Sequence, residues 1–232
     1  MTDDILRQQI EYYRARAGEY DEWYYRKGRY DHGEALNRQW FDECAQTMRL
    51  LEQQGHAPRA LEFAAGTGIW TEQLVRLSDH VTALDASAEV FAVNREKIRA
   101  AGADARVEYV QTDIFAWQPT QEYDLVVFCF WLSHVPAERF DAFIDTVQRA
   151  LRPGGKFFMV DSVADKNSSA KDHVIDREAS FMTRRLNDGR EFQIVKIFYD
   201  PAELQARFEQ HGFATTASTT EHYFLYAYGT KR

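Results

Sequence analysis

The chain has 232 residues, of which 45% are hydrophobic and 28% charged, with 36 acidic side chains against 28 basic ones. The net charge of −8 disfavours a broad surface for nucleic acid or anionic membrane. Two cysteines make neither a disulfide framework nor a metal-ligand set, and no apolar run is long enough to cross a bilayer. The N-terminus carries no visible secretory signal. These features predict a soluble, cytoplasmic, single-domain protein, residues 1–232, with no metal site; the oligomeric state stays open.

Helical periodicity dominates the N-terminal part, and residues 1–56 are predicted to form a helical cap. Residues 3–26 are polar and rich in tyrosine, and a second, amphipathic helix is expected over 34–54. Glycine at position 55 should end that helix.

Short apolar strands alternate with helices over residues 57–163. Near-continuous apolar strands such as 125–130 fit a sheet that is covered on both faces, which is typical of parallel α/β proteins. The expected fold is an α/β, doubly wound, mostly parallel seven-stranded Rossmann-like sheet with an antiparallel last strand. The five strands expected in this core are 60–65, 81–84, 107–111, 124–130 and 156–160.

Residues 164–232 form the remaining part of the predicted domain, an acceptor-side insertion followed by a C-terminal helix and strand pair. Asp200-Pro201 is a strong helix start, because an aspartate cap precedes proline at the first helical position. The elements expected here are a helix over 172–186, a strand over 192–199, the helix after Pro201, and an antiparallel pair of edge strands over 213–220 and 222–228.

The most informative pattern follows the first strand, where a tight turn with Gly66 and Gly68 leads into a helix. Glycines there let the backbone turn sharply and let a ligand approach it closely. The next strand ends at Asp85, where a carboxylate can accept hydrogen bonds from both hydroxyls of a ribose. Further strands end near Asp113 and Phe130, and open α/β sheets bind ligands at this carboxyl edge.

A dinucleotide fingerprint needs a third glycine, but Thr71 occupies that position and bulky Trp70 begins the helix. Glu62 would also lie close to a pyrophosphate, which is unfavourable for an anion. The turn therefore favours a cationic or zwitterionic nucleoside over NAD.

This turn resembles the first motif of the class I S-adenosylmethionine (SAM)-dependent methyltransferases. That motif has an acidic residue followed by glycines at alternate positions, and the chain matches it as Glu62-x-Ala64-x-Gly66-Thr-Gly68, with alanine at one glycine position. The resemblance covers roughly residues 58–163, together with the terminal helix and strand pair.

Three further features support the resemblance. Asp85 matches the family's ribose-binding acid, Asp113 matches its adenine-contacting acid, and the turn 151–156 before strand five is common in the superfamily. The resemblance implies that SAM is the cofactor and S-adenosylhomocysteine (SAH) the product. The cofactor-binding residues that it implies are Glu62 for the amino-acid end, Ala64, Gly66, Gly68 and Phe130 around it, Asp85 for the ribose, and Ala86, Asp113 and Ile114 for the adenine.

His134 follows the fourth strand on the face where the methyl group should be presented, which makes it the candidate general base. The alternative is a packing histidine near a helix N-terminus. Because methyl transfer often needs only in-line positioning, a base is optional.

Small-molecule enzymes of this family often use an N-terminal extension as a lid, so aromatic residues near the site become candidate walls of the acceptor pocket. These candidates are Tyr20, Trp23, Tyr24, Tyr30 and Trp131. The alternative is core packing, and nearby arginines such as Arg16 and Arg26 are expected to be solvated. His173 and His222 are further candidates for acceptor contacts, with surface exposure as the alternative.

The predicted function is methyl transfer from SAM to a small-molecule acceptor, first to oxygen and second to nitrogen, without nucleic acid or membrane partners. A non-catalytic SAM- or nucleoside-binding module is the alternative, and an NAD-binding oxidoreductase is a more distant one.

Overall fold

A computed structural model describes residues 2–232, so Met1, the first residue of the predicted cap, lies outside the described residues. The cap is helical as predicted, although turns divide its first stretch into two helices. The helices of the cap are α1 (Thr2–Arg16), α2 (Tyr20–Tyr24) and α3 (Glu34–Glu52). Within residues 2–232, no helix combines the length and hydrophobicity that a membrane span requires.

The remaining chain forms nine strands and four more helices. The strands are β1 (Ala57–Phe63), β2 (Ser78–Asp85), β3 (Val107–Gln111), β4 (Tyr123–Cys129), β5 (Leu151–Ser162), β6 (Phe181–Arg185), β7 (Glu191–Val195), β8 (Phe213–Thr219) and β9 (Phe224–Lys231). The helices are α4 (Thr71–Leu77), α5 (Ala88–Ala100), α6 (Phe140–Ala150) and α7 (Pro201–Gln210).

Seven strands form one sheet in the order β3-β2-β1-β4-β5-β9-β8. Strands β1 to β5 run parallel, and β9 pairs antiparallel with both β5 and β8. The predicted doubly wound sheet with an antiparallel last strand is therefore confirmed. Helix α7 also begins as predicted, since the Asp200 carboxylate accepts hydrogen bonds from the amides of Ala202 and Glu203.

Both faces of the sheet are buried, because side chains alternate along each strand. Leu125 and Val127 of β4 belong to the core under α3 and α4, whereas Val126 and Phe128 belong to the core under α6 and α7. This explains the near-continuous apolar run of β4.

The helix predicted over 172–186 is wrong. Residues 181–185 form β6, which pairs antiparallel with β7 in a separate two-stranded ribbon, and 172–180 are irregular. The alternating burial of β6, with Met182 and Arg184 buried and their neighbours exposed, is typical of a half-buried strand. A two-stranded ribbon is marginally stable unless one face packs against another element. Here α1 covers the ribbon at β7, where Leu6 packs against Val195.

Candidate active site

A cavity of about 260 Å³ opens at the carboxyl ends of β1, β2, β3 and β4, under helix α1. Leu6 and Ile10 of α1 cover it from above, and Val90 of α5 lines one side. The predicted cofactor residues that line it are Ala64, Gly66, Asp85, Ala86, Asp113, Ile114 and Phe130. The strand topology thus brings together residues that the sequence spreads over almost seventy positions.

Asp85 ties the glycine turn to the loop after β2. Its carboxylate accepts hydrogen bonds from the backbone amides of Gly66 and Ser87, each at 3.0 Å. Burial raises the pKa of Asp85, and these backbone hydrogen bonds oppose the shift. A carboxylate held at this edge, beside an apolar surface, fits the ribose of a nucleoside.

Two non-glycine residues at the cavity adopt the left-handed backbone conformation: Ala64 has φ of 53° and Phe130 has φ of 54°. Such conformations cost roughly 1–2 kcal/mol for a residue with a Cβ and concentrate at functional sites. The ring of Phe130 is held by Trp23, with ring centroids 4.7 Å apart. Ala64 therefore takes, with strain, the backbone conformation that glycine adopts freely at this motif position.

Glu62 and Gly68 lie behind the turn and do not line the cavity. The Glu62 carboxylate accepts a hydrogen bond of 2.6 Å from Thr71, whose hydroxyl in turn accepts one from Asn94. Burial raises the pKa of Glu62 to about 8. A Cβ on Gly68 would lie 2.7 Å from the Asn94 side chain, so only glycine fits there. Contact of Glu62 and Gly68 with the cofactor stays a prediction.

A second cavity, of about 60 Å³, lies between the cap, the end of β5 and the β6–β7 ribbon. Of the predicted acceptor residues, Tyr20, Trp23 and Tyr30 line it, and so does His173. Trp131 lines the first cavity instead, and Tyr24 lines a smaller space beside the glycine turn. The remaining candidate, His222, lies outside all three, and its ring contacts that of Tyr223 at a tilt, with centroids 5.7 Å apart.

Three buried cations line this second cavity: Arg16, Arg184 and Lys196. The expectation that Arg16 and Arg26 are solvated is wrong, because their exposures are 8% and 3%. Arg16 lies over the rings of three tyrosines, among them Tyr20 at 4.7 Å from the ring centroid. Sequence reasoning missed all three cations, and only the tyrosine-rich stretch around Arg16 hinted at one of them.

Lys196 is fixed by an ion pair beneath the cavity. Its ammonium donates hydrogen bonds to the Asp161 carboxylate at 3.1 Å and to the Ser133 hydroxyl at 2.8 Å. The backbone amide of Ser133 also donates to Asp161. Burial opposes ionisation of Asp161, but Lys196, His134 and the Ser133 hydrogen bonds together outweigh burial and hold the pKa of that carboxyl below its usual range. By contrast, Arg16 and Arg184 contact no carboxylate among the described residues.

His134 lies between the two cavities and lines both. Its Nδ1 is 2.7 Å from the carbonyl oxygen of Val195, and its Nε2 is 2.9 Å from the Tyr13 hydroxyl. Burial, reinforced by Lys196, lowers the pKa of His134 to about 3. Both ring nitrogens are thus engaged and the imidazole is neutral, which favours an orienting role over that of a base.

Comparisons with known proteins fit this geometry. Residues 60–155 match the family model of a methyltransferase domain. A solved DhpI–SAH complex is 37% identical to the chain, with a TM-score of 0.74, and the match covers 97% of this chain and 96% of that one. The chain belongs to the class I SAM-dependent methyltransferases. The cofactor of this methyltransferase is SAM, as the glycine turn and the strand-end acids predict.

Curated relatives of the methyltransferase match smaller parts of it. The ubiquinone/menaquinone biosynthesis C-methyltransferase UbiE of Shewanella pealeana is 32% identical over 117 residues, covering 48% of this chain and 46% of UbiE. A ubiquinone biosynthesis O-methyltransferase of Aeromonas salmonicida is 27% identical over 165 residues, and the match covers 71% of this chain and 66% of that enzyme. The chain therefore spans about half the length of UbiE.

The N-methyltransferase NodS of Bradyrhizobium japonicum is 16% identical, with a TM-score of 0.63. The match covers 96% of this chain and 97% of NodS, so the two share the fold. These relatives methylate carbon, oxygen or nitrogen by their names, and likeness to them leaves the acceptor atom of this methyltransferase open.

Proposed function

We propose that this methyltransferase transfers the methyl group of SAM to an oxygen atom of a small anionic acceptor, such as a carboxylate, a phosphonate or a phosphate ester. The observation that carries the proposal is the set of buried cations in the cavity next to the cofactor cavity. A guanidinium group binds planar and tetrahedral oxyanions through paired hydrogen bonds.

The charges in the second cavity favour an anion over an amine. Lys196 is compensated by Asp161, but neither Arg16 nor Arg184 has a carboxylate partner among residues 2–232. A buried charge without a partner is costly, so these two guanidinium groups are expected to bind an acceptor with one or two negative charges. A protonated amine would instead be repelled by Arg16 and Arg184.

The size of the cavity also supports a small acceptor group. Its volume of about 60 Å³ would hold roughly four or five water-sized groups, which matches a carboxylate or phosphonate head group. Ser168 and Ser169 also line this space and make it more polar.

When bound, SAM supplies a methyl carbon that forms a bond to the acceptor oxygen while its bond to sulfur breaks and the electron pair stays on sulfur, leaving SAH. The chain's own part is to bind and orient. Asp85 fits the ribose, while Arg16 and Arg184 would hold the oxyanion in line with the methyl group. An ionised oxygen has no proton to lose, so the reaction needs no general base, consistent with a neutral His134.

DhpI also forms a complex with SAM and HEP together, so a relative of almost full length binds a third component beside SAM. This complex supports a binding place for an acceptor beside the cofactor, and we assign that role to the second cavity. The cytoplasmic location and the absence of nucleic acid and membrane partners stay predictions from the sequence.

Small acceptors of similar size test the proposal. With labelled SAM, we expect methyl esters to form from acetate or methylphosphonate, and no product from ethylamine or ethanol. Preferential methylation of the amine or the alcohol would refute the anionic acceptor. Failure of every oxyanion to bind the SAH complex, measured by calorimetry, would refute it as well.

Arg184→Gln should weaken oxyanion binding about tenfold or more, because a charged hydrogen-bond donor is lost, while SAH affinity stays unchanged. Arg190→Gln is the matched control, since that arginine belongs to the same ribbon region but is exposed and paired with Asp188. Equal effects of the two variants would argue against a specific role for Arg184.

A further inference from the structure

Four residues line both cavities: Tyr13, Tyr20, Phe130 and His134. A methyl group that passes from the cofactor cavity to the acceptor cavity must cross the boundary that these residues form. Among these four residues, Tyr13 and His134 are the only two whose side chains are joined by a hydrogen bond. This bond determines the orientation of the Tyr13 hydroxyl group.

The hydrogen atoms of this pair follow from its partners. The carbonyl oxygen of Val195 can only accept a hydrogen bond. Nδ1 of His134, 2.7 Å from that oxygen, must therefore be protonated and act as the donor. The imidazole is neutral, so Nε2 has a lone pair and accepts from the Tyr13 hydroxyl at 2.9 Å. The single hydrogen of that hydroxyl is thus committed to His134, and its oxygen offers only lone pairs to the boundary.

This arrangement is insensitive to pH. Burial raises the pKa of Tyr13 well above its ordinary value, and burial together with Lys196 lowers the pKa of His134 to about 3. Neither side chain titrates between pH 5 and pH 9. The Gln9 side chain donates a hydrogen bond to the His134 carbonyl and accepts one from the Val195 amide. These two bonds hold α1 in place beside β7.

We propose that Tyr13 contacts the methyl group of bound SAM and makes the site prefer SAM over SAH, with His134 as the positioning residue that orients the phenol oxygen. The inference rests on the proposed function, because it uses the boundary between cofactor and acceptor. The methyl hydrogens of a sulfonium are polarised by the positive charge, and an oxygen with free lone pairs stabilises them through weak C–H···O contacts. SAH has neither the charge nor the methyl group.

The affinity ratio of SAM to SAH tests the inference without any acceptor. Tyr13→Phe removes the oxygen and keeps the ring, so we expect SAM affinity, measured by calorimetry, to fall about two- to fivefold while SAH affinity stays unchanged. Tyr12→Phe is the matched control for the ratio, because Tyr12 is a buried neighbour in the same helix whose hydroxyl has no hydrogen-bond partner among the described residues. The ratio should not change in that variant.

His134 variants separate orientation from packing. His134→Leu removes the hydrogen-bond acceptor and should lower the SAM preference as Tyr13→Phe does, whereas His134→Gln keeps an acceptor oxygen and should recover part of it. Equal losses of SAM and SAH affinity in Tyr13→Phe, or an unchanged ratio, would overturn the inference.

The outcome is distinguishable from failure of the proposed function. If oxyanions are methylated but Tyr13→Phe leaves the SAM to SAH ratio unchanged, only the role of Tyr13 is refuted. If the ratio shifts but no oxyanion is bound or methylated, the acceptor class is refuted and the contact of Tyr13 with the methyl group stands.

Discussion

The larger cavity, which we propose as the cofactor cavity, and the second cavity, which we propose as the acceptor cavity, lie side by side but are built in different ways. The cofactor cavity uses turns that directly follow parallel strands, and the charged groups at those strand ends are the carboxylates Asp85 and Asp113. The acceptor cavity uses side chains from the cap, the end of β5 and the β6–β7 ribbon, and its charged groups are cations. The strand-end residues of the first cavity therefore follow short sequence patterns, whereas the second cavity depends on contacts such as Tyr13 to His134, 121 residues apart.

This contrast shows how the two halves of the site, the cofactor cavity and the acceptor cavity, meet different requirements. A site for a common cofactor needs only a standard backbone edge, which the parallel sheet provides. A site for one acceptor needs a particular set of charges, and loops and added segments around the edge provide it. Each of the variants below is expected to affect one half and spare the other.

The largest effect is expected in the acceptor half. Asp161→Ala leaves the buried ammonium of Lys196 without its partner, so we expect the free energy of unfolding to fall by about 3–5 kcal/mol in urea titrations. Asp188→Ala removes an exposed ion pair with Arg190 and should change it by less than about 1 kcal/mol. A similarly small change for Asp161→Ala would mean that Lys196 is not charged in the folded protein.

A pH dependence is expected from the cofactor half. The pKa of Glu62 is about 8 when folded, above its unfolded value of 4.5, so the unfolded chain ionises first. Stability from Glu62 is fully present below pH 4.5 and is lost as the pH rises towards 8, by roughly 2–4 kcal/mol.

Urea titrations of the cofactor-free protein at several pH values measure this loss. Glu62→Gln cannot ionise and should reduce it. An identical pH dependence in the Glu62→Gln variant and the wild type would show that Glu62 does not control stability in this range.

A smaller effect, on binding, is expected from Asp85→Ala. Loss of the carboxylate that we expect to bind the ribose should weaken SAH binding at least about tenfold in calorimetry, because a charged hydrogen bond would be removed. Oxyanion binding to the acceptor cavity should change far less. Unchanged SAH affinity would remove Asp85 from the cofactor site.

The smallest effect is expected from Ala64→Gly, which relieves the left-handed backbone at φ of 53°. We expect a gain of about 0.5 kcal/mol in the free energy of unfolding, since strain relief outweighs the added flexibility of the unfolded chain. Ala65→Gly is the control: that residue does not have positive φ, so glycine there should destabilise. Destabilisation in both variants would argue against strain at Ala64.

The cofactor half could be predicted because its signals are short. The spacing from Gly66 to Asp85 and the alternation of apolar strands with helices can be recognised without any knowledge of long-range contacts. Seven of the predicted cofactor residues line the cavity for this reason. Glu62 shows the limit of such reasoning, because its direction behind the turn depends on packing against Thr71 and Asn94.

The acceptor half could not be predicted in the same way. Arg184 lies in a segment whose pattern favours a helix, and only pairing with β7 under α1 makes it a strand. Arg16 stands on a polar helix, where solvation is the usual outcome, and becomes buried among tyrosines of the cap.

By itself, the sequence determined the parallel sheet, the glycine turn and the acids at the strand ends, because each depends on neighbouring residues and on the fixed geometry of a βα unit. Only the tertiary structure decided which charges line the second cavity and which way the Tyr13 hydroxyl points. Those features arise where segments far apart in the chain exclude water together, and burial then determines both the partners and the charge state of each side chain.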